Sequence, residues 1–228
     1  FWWIINPLLM GGVYFTVFGL LFGGSRPPDF LVYLMSGMFV FHFTSQSMSG
    51  GAHSILQNSR LLANLRFPRL ILPISTLIES LVGFLASIVV LIAIAAVTGY
   101  GYFGPKLFLV FVVLPLQLVF NLGLAALIAR LAVPFRDIGN LLPYLTRIWL
   151  YVTPIIWPVE FIDGLPEWTQ RLVAANPMFH FVSVYRTALL GYPWSPLDLQ
   201  LSTISALLVG VLGVALFVKH EGHMVRYL

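Results

Sequence analysis

Long apolar runs dominate the chain, and they are continuous rather than alternating with a period of two. Continuous runs of this length favour helices over half-buried strands. A helix needs about 20 apolar residues to cross a hydrocarbon core roughly 30 Å thick, and six runs are long enough. The predicted spans are residues 1–23, 30–51, 70–97, 107–129, 139–158 and 197–218.

The connection between the fifth and sixth spans, residues 159–195, has a different pattern. It is too long for a structureless loop, and it holds two apolar pieces separated by Asn176-Pro177. Each piece is too short to span but suits a half-helix entering one leaflet. Asn176 is a good N-cap, Pro177 suits the first helical position, and Gly191 closes the second piece. We therefore expect an external re-entrant helical hairpin here.

Composition strengthens the membrane interpretation. Apolar residues make up 59% of the 228 residues and charged residues only 9%, whereas soluble domains carry roughly 25% charged residues. Much of the surface of the chain must therefore contact lipid rather than water. We expect residues 1–228 to form a single all-α transmembrane domain. The lack of cysteine excludes a disulfide scaffold and a thiolate metal site.

The basic residues predict the orientation of the spans. Positive charge collects in short cytoplasmic loops, and seven basic residues follow the second, fourth and sixth spans against four on the opposite side. Both termini are therefore expected in the cytoplasm. The seven are Arg60, Arg66, Arg69, Arg130, Arg136, Lys219 and Arg226. They are scattered singly, so nucleic acid is not an expected partner.

The segment between the second and third spans, residues 52–69, mixes apolar and polar positions. Its polar members include Arg60, Asn64, Arg66 and Arg69, and the Phe67-Pro68 break turns the chain back toward the membrane. The segment is either an interfacial anchor with snorkelling arginines or a docking element for a cytoplasmic partner. The spacing alone favours neither.

Aromatic residues form faces on two spans. Tyr14, Phe18 and Phe22 repeat every four residues on the first span, and Tyr144 and Tyr151 share a face of the fifth. Aromatic faces suit sugar rings, whose C–H groups pack on the π system. They are also common in membrane helices as packing or as an interfacial belt, so both interpretations stay open at this point.

Two charged residues fall inside predicted spans. Glu79 and Arg147 lie eight or nine residues from the cytoplasmic ends of their spans, which places both roughly 12–14 Å deep. Charges in lipid are costly and usually face a partner or the protein interior. We predict that the two pair, within one subunit or across a dimer; the alternative is that each bonds hydroxyl groups or water.

The residues offer little catalytic chemistry. Neither lysine follows a glycine, so the chain has no P-loop. An intramembrane hydrolase would have to use Ser49 with His42 or His53, but the turn lacks the glycine that a nucleophile elbow has before its serine. The two histidines have no partner acid, so no catalytic residue and no metal site are expected.

Three motifs in order carry a resemblance. Trp2-x4-Pro7 opens the first span, Asn64-Leu65-Arg66-Phe67-Pro68-Arg69-x3-Pro73 follows the second, and Asn176-Pro177…Tyr185-Arg186 lies in the hairpin. Over essentially the whole chain this pattern resembles the permease of type-2 ABC exporters. It is most similar to the polysaccharide exporters that carry O-antigen, teichoic acid or galactan on a lipid anchor.

The resemblance implies a homodimer in the bacterial cytoplasmic (inner) membrane, bound to two copies of a separate cytoplasmic ABC ATPase. The substrate would be a lipid-linked polysaccharide, and ATP and Mg would sit on the partner, leaving this chain without a cofactor. Residues 52–69 would be the coupling helix. The hairpin and the aromatic residues of the first and fifth spans would line the translocation path. The alternatives are a drug or small-lipid exporter of the same fold and, from another class, a membrane-embedded hydrolase or transferase.

Overall fold

A computed structural model describes residues 2–22, 28–58, 67–135, 137–164 and 166–221. These residues form α-helices and two 3-10 segments, with no strand among them, so the all-α prediction is confirmed for this part of the chain. The 3-10 segments are Pro105–Leu107 and Val159–Gly164. The helices are α1 (Trp2–Phe22), α2 (Phe30–Gln57), α3 (Ile71–Thr98), α4 (Phe108–Ala132), α5 (Ile138–Val152), α6 (Glu167–Ala174), α7 (Pro177–Leu190) and α8 (Pro196–His220).

Three stretches of the described residues are long and apolar enough to cross a membrane. They are Ile71–Thr98, Pro105–Ala132 and Pro196–His220, with 28, 28 and 25 residues. At 1.5 Å per residue they are roughly 37–42 Å long, which exceeds the hydrocarbon thickness. These helices are those of a multi-pass membrane protein.

The predicted fifth span differs from the structure. It was expected to run to residue 158, but α5 ends at Val152 after 15 residues, about 22 Å. Pro154 and Pro158 explain the early end, because a proline disfavours the helical conformation of the residue before it and has no N–H to donate. Apolar composition continues past Val152, but the helix does not.

The start of the expected coupling segment also differs. Residues 52–57 are the last turns of α2 rather than part of a separate helix. The two glycines before them let α2 continue through a crowded place: a side chain at Gly51 would overlap the backbone of Ala125, and one at Gly50 would meet Thr76. Residues 59–66, with Arg60, Asn64 and Arg66, lie outside the described residues.

The chain divides into two compact units. The first unit comprises Phe1–His42, Gly83–Leu114 and Ile148–Ser202, and the second comprises Phe43–Val82, Pro115–Arg147 and Thr203–Leu228. Aromatic pairs fill the first unit: the rings of Phe84 and Tyr185 meet edge to face at 5.7 Å, and those of Phe41 and Trp149 at 5.6 Å. Such pairs add to the free energy of apolar burial.

The second unit has a core of aliphatic residues and one aromatic residue. Its buried members come from the ends of α2, α4 and α8, the start of α3, and the turn after α4. They are Ile55, Leu72, Ala126, Ala129, Val133 and Phe217. Phe67 and Leu70, which precede α3, are half-buried and pack against this core, so the chain entering α3 is held by apolar contact.

Glycines allow α4 and α8 to touch within the second unit. A side chain at Gly123 of α4 would overlap the backbone of Val209 and Gly210, and one at Gly213 would overlap Gly123. Small residues at a crossing let helix backbones approach closely, which is how helices pack in lipid, where the hydrophobic effect between them is weak.

Candidate functional site

The junction between α6 and α7 is built around Asn176. Its side-chain oxygen accepts a hydrogen bond from Met178 N at 3.1 Å and caps α7, while Pro177 takes the first helical position. The same oxygen accepts from Trp149 Nε1 at 2.8 Å, and Asn176 Nδ2 donates to Thr153 Oγ1 at 2.8 Å. The expected cap is confirmed. The contacts with α5 and the turn after it show that the α6–α7 junction is fastened where α5 ends.

Arg186 is a buried cation on α7 with 5% of its surface exposed. Its Nη1 donates to the carbonyl oxygen of Pro154 at 2.9 Å and its Nη2 to that of Tyr33 at 3.2 Å. The guanidinium carbon lies 3.4 Å from the centroid of the Tyr33 ring. Carbonyl dipoles and the ring face together replace a counter-ion. Arg186 therefore ties α7 to α2 and to the turn after α5.

The contact extends from Tyr33 to the loop after α7. The ring centroids of Tyr33 and Tyr192 are 5.9 Å apart, and the Tyr192 hydroxyl donates to Asp29 Oδ2 at 2.7 Å. Burial raises the pKa of Tyr192, and the hydrogen bond to Asp29 raises it further. Lys106 Nζ donates to the carbonyl oxygens of Gly191 and Tyr192 at 3.3 and 3.2 Å, which is the favourable place for a cation at a helix C-terminus.

A second buried polar cluster joins α7 to α8. His180 Nδ1 lies 2.7 Å from Asp198 Oδ1, and His180 Nε2 lies 2.8 Å from the carbonyl oxygen of Ala174. Both partners are acceptors, so this geometry is satisfied when both ring nitrogens carry hydrogen. Ser183 Oγ donates to the other oxygen of Asp198 at 2.6 Å. Both ring nitrogens of His180 are engaged, one by Asp198 and one by the backbone, so the cluster lacks the serine–histidine hydrogen bond of a catalytic triad.

The structure describes three of the five aromatic side chains that were predicted to line the translocation path. Tyr144 and Tyr151 of α5 expose 67% and 50% of their surface, and Tyr14 of α1 is half-buried. The side chains of Phe18 and Phe22 lie outside the described residues. The two α5 tyrosines are therefore free of the core and available to lipid, to a second copy or to a ligand.

Two predicted coupling residues are described. Phe67 packs on the core of the second unit. Arg69 is half-buried, and its Nη1 is buried without a hydrogen-bond partner among the described residues. Phe67 therefore holds the chain before α3 against this core. Arg69 Nη1 has N–H groups that no described residue accepts. Their contact with an ATPase stays a prediction.

Glu79 and Arg147 are both exposed, and no ion pair joins them within the described part of the chain. Glu79 belongs to α3 and Arg147 to α5. Two exposed charges on apolar helices still need partners, so their pairing stays a prediction, and the bonding of each to hydroxyl groups or water stays its alternative.

The geometry around Ser49 gives no support to a hydrolase. His53 Nδ1 lies 2.8 Å from the backbone carbonyl oxygen of Ser49, one helical turn away, so this nitrogen faces the backbone rather than the hydroxyl. Within the described ranges, no three acidic or histidine side chains are grouped so that they could hold a metal ion.

Sequence reasoning missed five residues that fasten α7 and its cap: Tyr33, Trp149, Thr153, His180 and Asp198. A buried polar or ionisable residue in an apolar stretch is itself a signal, and it was present for His180 and Asp198. No pattern in the sequence connects Tyr33 with Arg186, because 153 residues separate them.

Comparison with known proteins gives concordant matches. The family described as ABC-2 type transporter matches residues 1–190. The O-antigen export system permease protein RfbA of Myxococcus xanthus is 28% identical over 186 residues, covering 81% of this chain and 70% of that protein. Two proteins of the same name from Klebsiella pneumoniae are 24% identical over 218 and 222 residues, each covering 96% of this chain and 83% of the relative.

Proposed function

Because the chain belongs to the ABC-2 type transporter family, we propose that it is the membrane-spanning subunit of an ATP-driven exporter of a lipid-linked polysaccharide. The observation that carries the proposal is the similarity, over 96% of the chain, to proteins named as permeases of O-antigen export. The order of long apolar helices and the broken α6–α7 pair agree with a transport subunit.

We further propose six spans, with both termini in the cytoplasm and the α6–α7 hairpin entering the outer leaflet of the bacterial cytoplasmic membrane. α6 and α7 have 8 and 14 residues, about 12 and 21 Å, so neither alone crosses the hydrocarbon core. Their fixed attachment through Asn176, Arg186 and His180 supports a rigid hairpin rather than a loop.

The working unit is proposed to be a dimer of this chain with two copies of a cytoplasmic ABC ATPase. ATP and Mg would bind to that partner, since no P-loop is present in this sequence. Residues 52–69 would contact the ATPase. In this arrangement, Phe67 would transmit force to the core of the second unit, because it packs there.

The translocation path is proposed to run at the interface between the two copies. Tyr144 and Tyr151 are exposed on α5, and with Tyr14, Phe18 and Phe22 of α1 they would supply aromatic walls. Weak repeated binding of successive sugars would permit sliding, as multi-site binding permits conduction in channels.

The test is isolation of the native complex together with export in cells. A tagged chain expressed in its own host should co-purify with an ABC ATPase and a lipid-linked glycan. Deleting the gene should leave that glycan on the cytoplasmic leaflet, and the wild-type chain should restore export. Co-purification of a drug or a simple lipid, with glycan export intact in the deletion strain, would favour the small-substrate alternative. Hydrolytic activity of the chain without any ATPase would contradict both.

A further inference from the structure

We propose that a cavity beside Asp29 binds one uncharged sugar residue of the exported glycan. The inference rests on the proposed function, and it concerns a site separate from the aromatic faces of α5. The cavity lies within the first unit, where α1, the start of α2 and the end of α3 meet. Under the proposed topology it opens at the outer side of the membrane.

The size of the cavity suits a small occupant. Its volume is about 280 Å³, close to the lower limit of ligand pockets, which is roughly 300 Å³. This space accommodates one sugar ring rather than a polymer. The lining includes Phe15, Asp29, Leu31, Val32, Thr98 and Tyr100.

The polar groups of the lining fit the hydroxyl groups of a sugar. Asp29 is half-buried, and the hydrogen bond from the Tyr192 hydroxyl to its Oδ2 fixes the carboxylate. The other carboxylate oxygen has no partner among the described residues and can accept from a ligand hydroxyl. Thr98 donates its own hydrogen to Ile94 O at 2.8 Å, so its oxygen can accept. Tyr100 is 41% exposed and its hydroxyl can donate.

The remaining lining is apolar and includes an aromatic ring. Phe15, Leu31 and Val32 come from α1 and the first turn of α2. A half-buried phenylalanine next to a fixed carboxylate provides both kinds of contact that a sugar needs, a surface for its C–H groups and acceptors for its hydroxyls.

Charge selects against an anionic ligand. The one charge that the described lining carries is the negative charge of Asp29. A phosphate beside a half-buried carboxylate would be repelled, whereas a neutral sugar would not. The site therefore suits a neutral sugar and not an anionic group.

Occupancy of the cavity would affect the contacts that hold α7 in the proposed hairpin. Asp29 is bonded to Tyr192 in the loop after α7, and the ring of Tyr192 packs on that of Tyr33, over which the Arg186 guanidinium lies. A sugar that bonds the other oxygen of Asp29 would thus be linked through Tyr192 to the contacts that hold α7.

Saturation-transfer NMR on the complete permease–ATPase complex in lipid nanodiscs tests the site. The probes are neutral methyl glycosides of glucose, galactose, mannose and rhamnose, with methyl glucuronide as the anionic comparison and choline as the cationic one. At least one neutral glycoside should show saturation transfer, and the glucuronide should show none. Asp29→Ala should weaken that binding roughly tenfold, because a hydrogen bond to a charged group is lost.

Two further variants make the result decisive. Asp163→Asn removes an exposed acid in the 3-10 segment before α6 and should bind like the wild type. Tyr100→Phe leaves the shape of the cavity unchanged and should weaken binding roughly two- to fivefold, so it keeps the test valid if Asp29→Ala does not fold. Equal binding by Tyr100→Phe, Asp29→Ala and the wild type would overturn the proposal, as would no neutral glycoside binding or stronger binding of choline or glucuronide. Glycan export by the wild-type chain in cells is measured separately, so loss of the sugar site and failure of the proposed function give different results.

Discussion

At the scale of single residues, the first unit buries a cation, Arg186, that forms no ion pair with any described residue. Burying a charge is costly unless it is paired or well hydrogen-bonded. For Arg186, hydrogen bonds to two backbone carbonyl oxygens and a cation–π contact with the face of Tyr33 offset this cost. Lysine cannot replace it, because a single ammonium group lacks the planar fork that reaches both carbonyls while stacking on a ring.

Arg186→Lys should therefore lower the free energy of unfolding by about 1–3 kcal/mol. The matched control is Arg171→Lys on α6, an exposed partner of Glu167 at 3.3 Å, where the change should be below about 0.5 kcal/mol. Thermal or denaturant unfolding of the detergent-solubilised protein measures both. Equal stability of the two variants would show that the buried contact contributes nothing.

Asn176 gives a sharper test of the hairpin junction, because aspartate has nearly the same shape. Thr153 Oγ1 donates its hydrogen to Trp149 O and offers only a lone pair to Asn176 Nδ2. Asn176→Asp would therefore set oxygen against oxygen and bury a charge, costing about 2 kcal/mol or more. Asn140→Asp, exposed in the first turn of α5, should be neutral or slightly stabilising. The same unfolding measurement applies, and a neutral result for Asn176→Asp would contradict the described hydrogen bonds.

At the scale of helices, apolar runs predicted α1, α3, α4 and α8 to within a few residues, because a long helix in lipid needs a long apolar sequence. The cap at Asn176 and the end of α7 at Gly191 were also predictable, since both depend on local chemistry. Gly191 indeed has a φ of 76°. The end of α5 was missed because hydropathy does not register the effect of Pro154 on backbone geometry.

The fastening of the hairpin could not be predicted in the same way. Arg186 and Asn176 were singled out as motif residues, but the atoms that they bind lie on other elements. Trp149 is 27 residues from Asn176, and Tyr33 is 153 from Arg186. Contacts of this kind depend on the tertiary arrangement, which no local period or propensity encodes.

The crossing of α4 and α8 predicts a strong effect of a single methyl group. Gly123→Ala would overlap the backbone of Val209 and Gly210, so it should lower the free energy of unfolding by about 1–3 kcal/mol. Gly83→Ala in α3 meets nothing within 4 Å and should raise it by up to about 1 kcal/mol, because alanine favours helix. Opposite shifts in melting temperature are expected; shifts of the same sign would contradict the close crossing.

At the scale of the whole molecule, the proposed topology is testable because the chain has no cysteine. Single cysteines at Ser25, Ser59 and Ser195 each provide one reactive site for a membrane-impermeant maleimide. In intact cells whose outer membrane has been made permeable, the first and third should be labelled from outside and the second only after the inner membrane is broken. Labelling of Ser59→Cys from outside would overturn the six-span arrangement.

The proposed conduit predicts a transport defect without an assembly defect. Changing Tyr14, Phe18 and Tyr151 together to alanine should slow glycan export and its stimulation of ATP hydrolysis several-fold, because loss of aromatic stacking weakens sugar binding. Co-purification with the ATPase should stay normal. Matched replacement of the exposed aliphatic residues Val89 and Val211, which expose 66% and 63% of their surface, should leave export unchanged. A normal export rate in the triple variant would assign these rings to packing.

The Arg186 contact has a consequence for biosynthesis. The carbonyl oxygens of Tyr33 and Pro154 leave the ribosome 153 and 32 residues before the guanidinium that binds them. At 5–20 residues per second, Tyr33 is synthesised roughly 8–30 s before Arg186, and Pro154 roughly 2–6 s before it. During that interval the Tyr33 hydroxyl can hold Pro154 O, as it does in the finished protein. Asp198, which secures His180, emerges later still, 18 residues after it. α7 is therefore fully secured only after Asp198 has been translated, so a nascent chain released before that residue would leave the translocon with α7 unsecured and exposed to quality-control proteases.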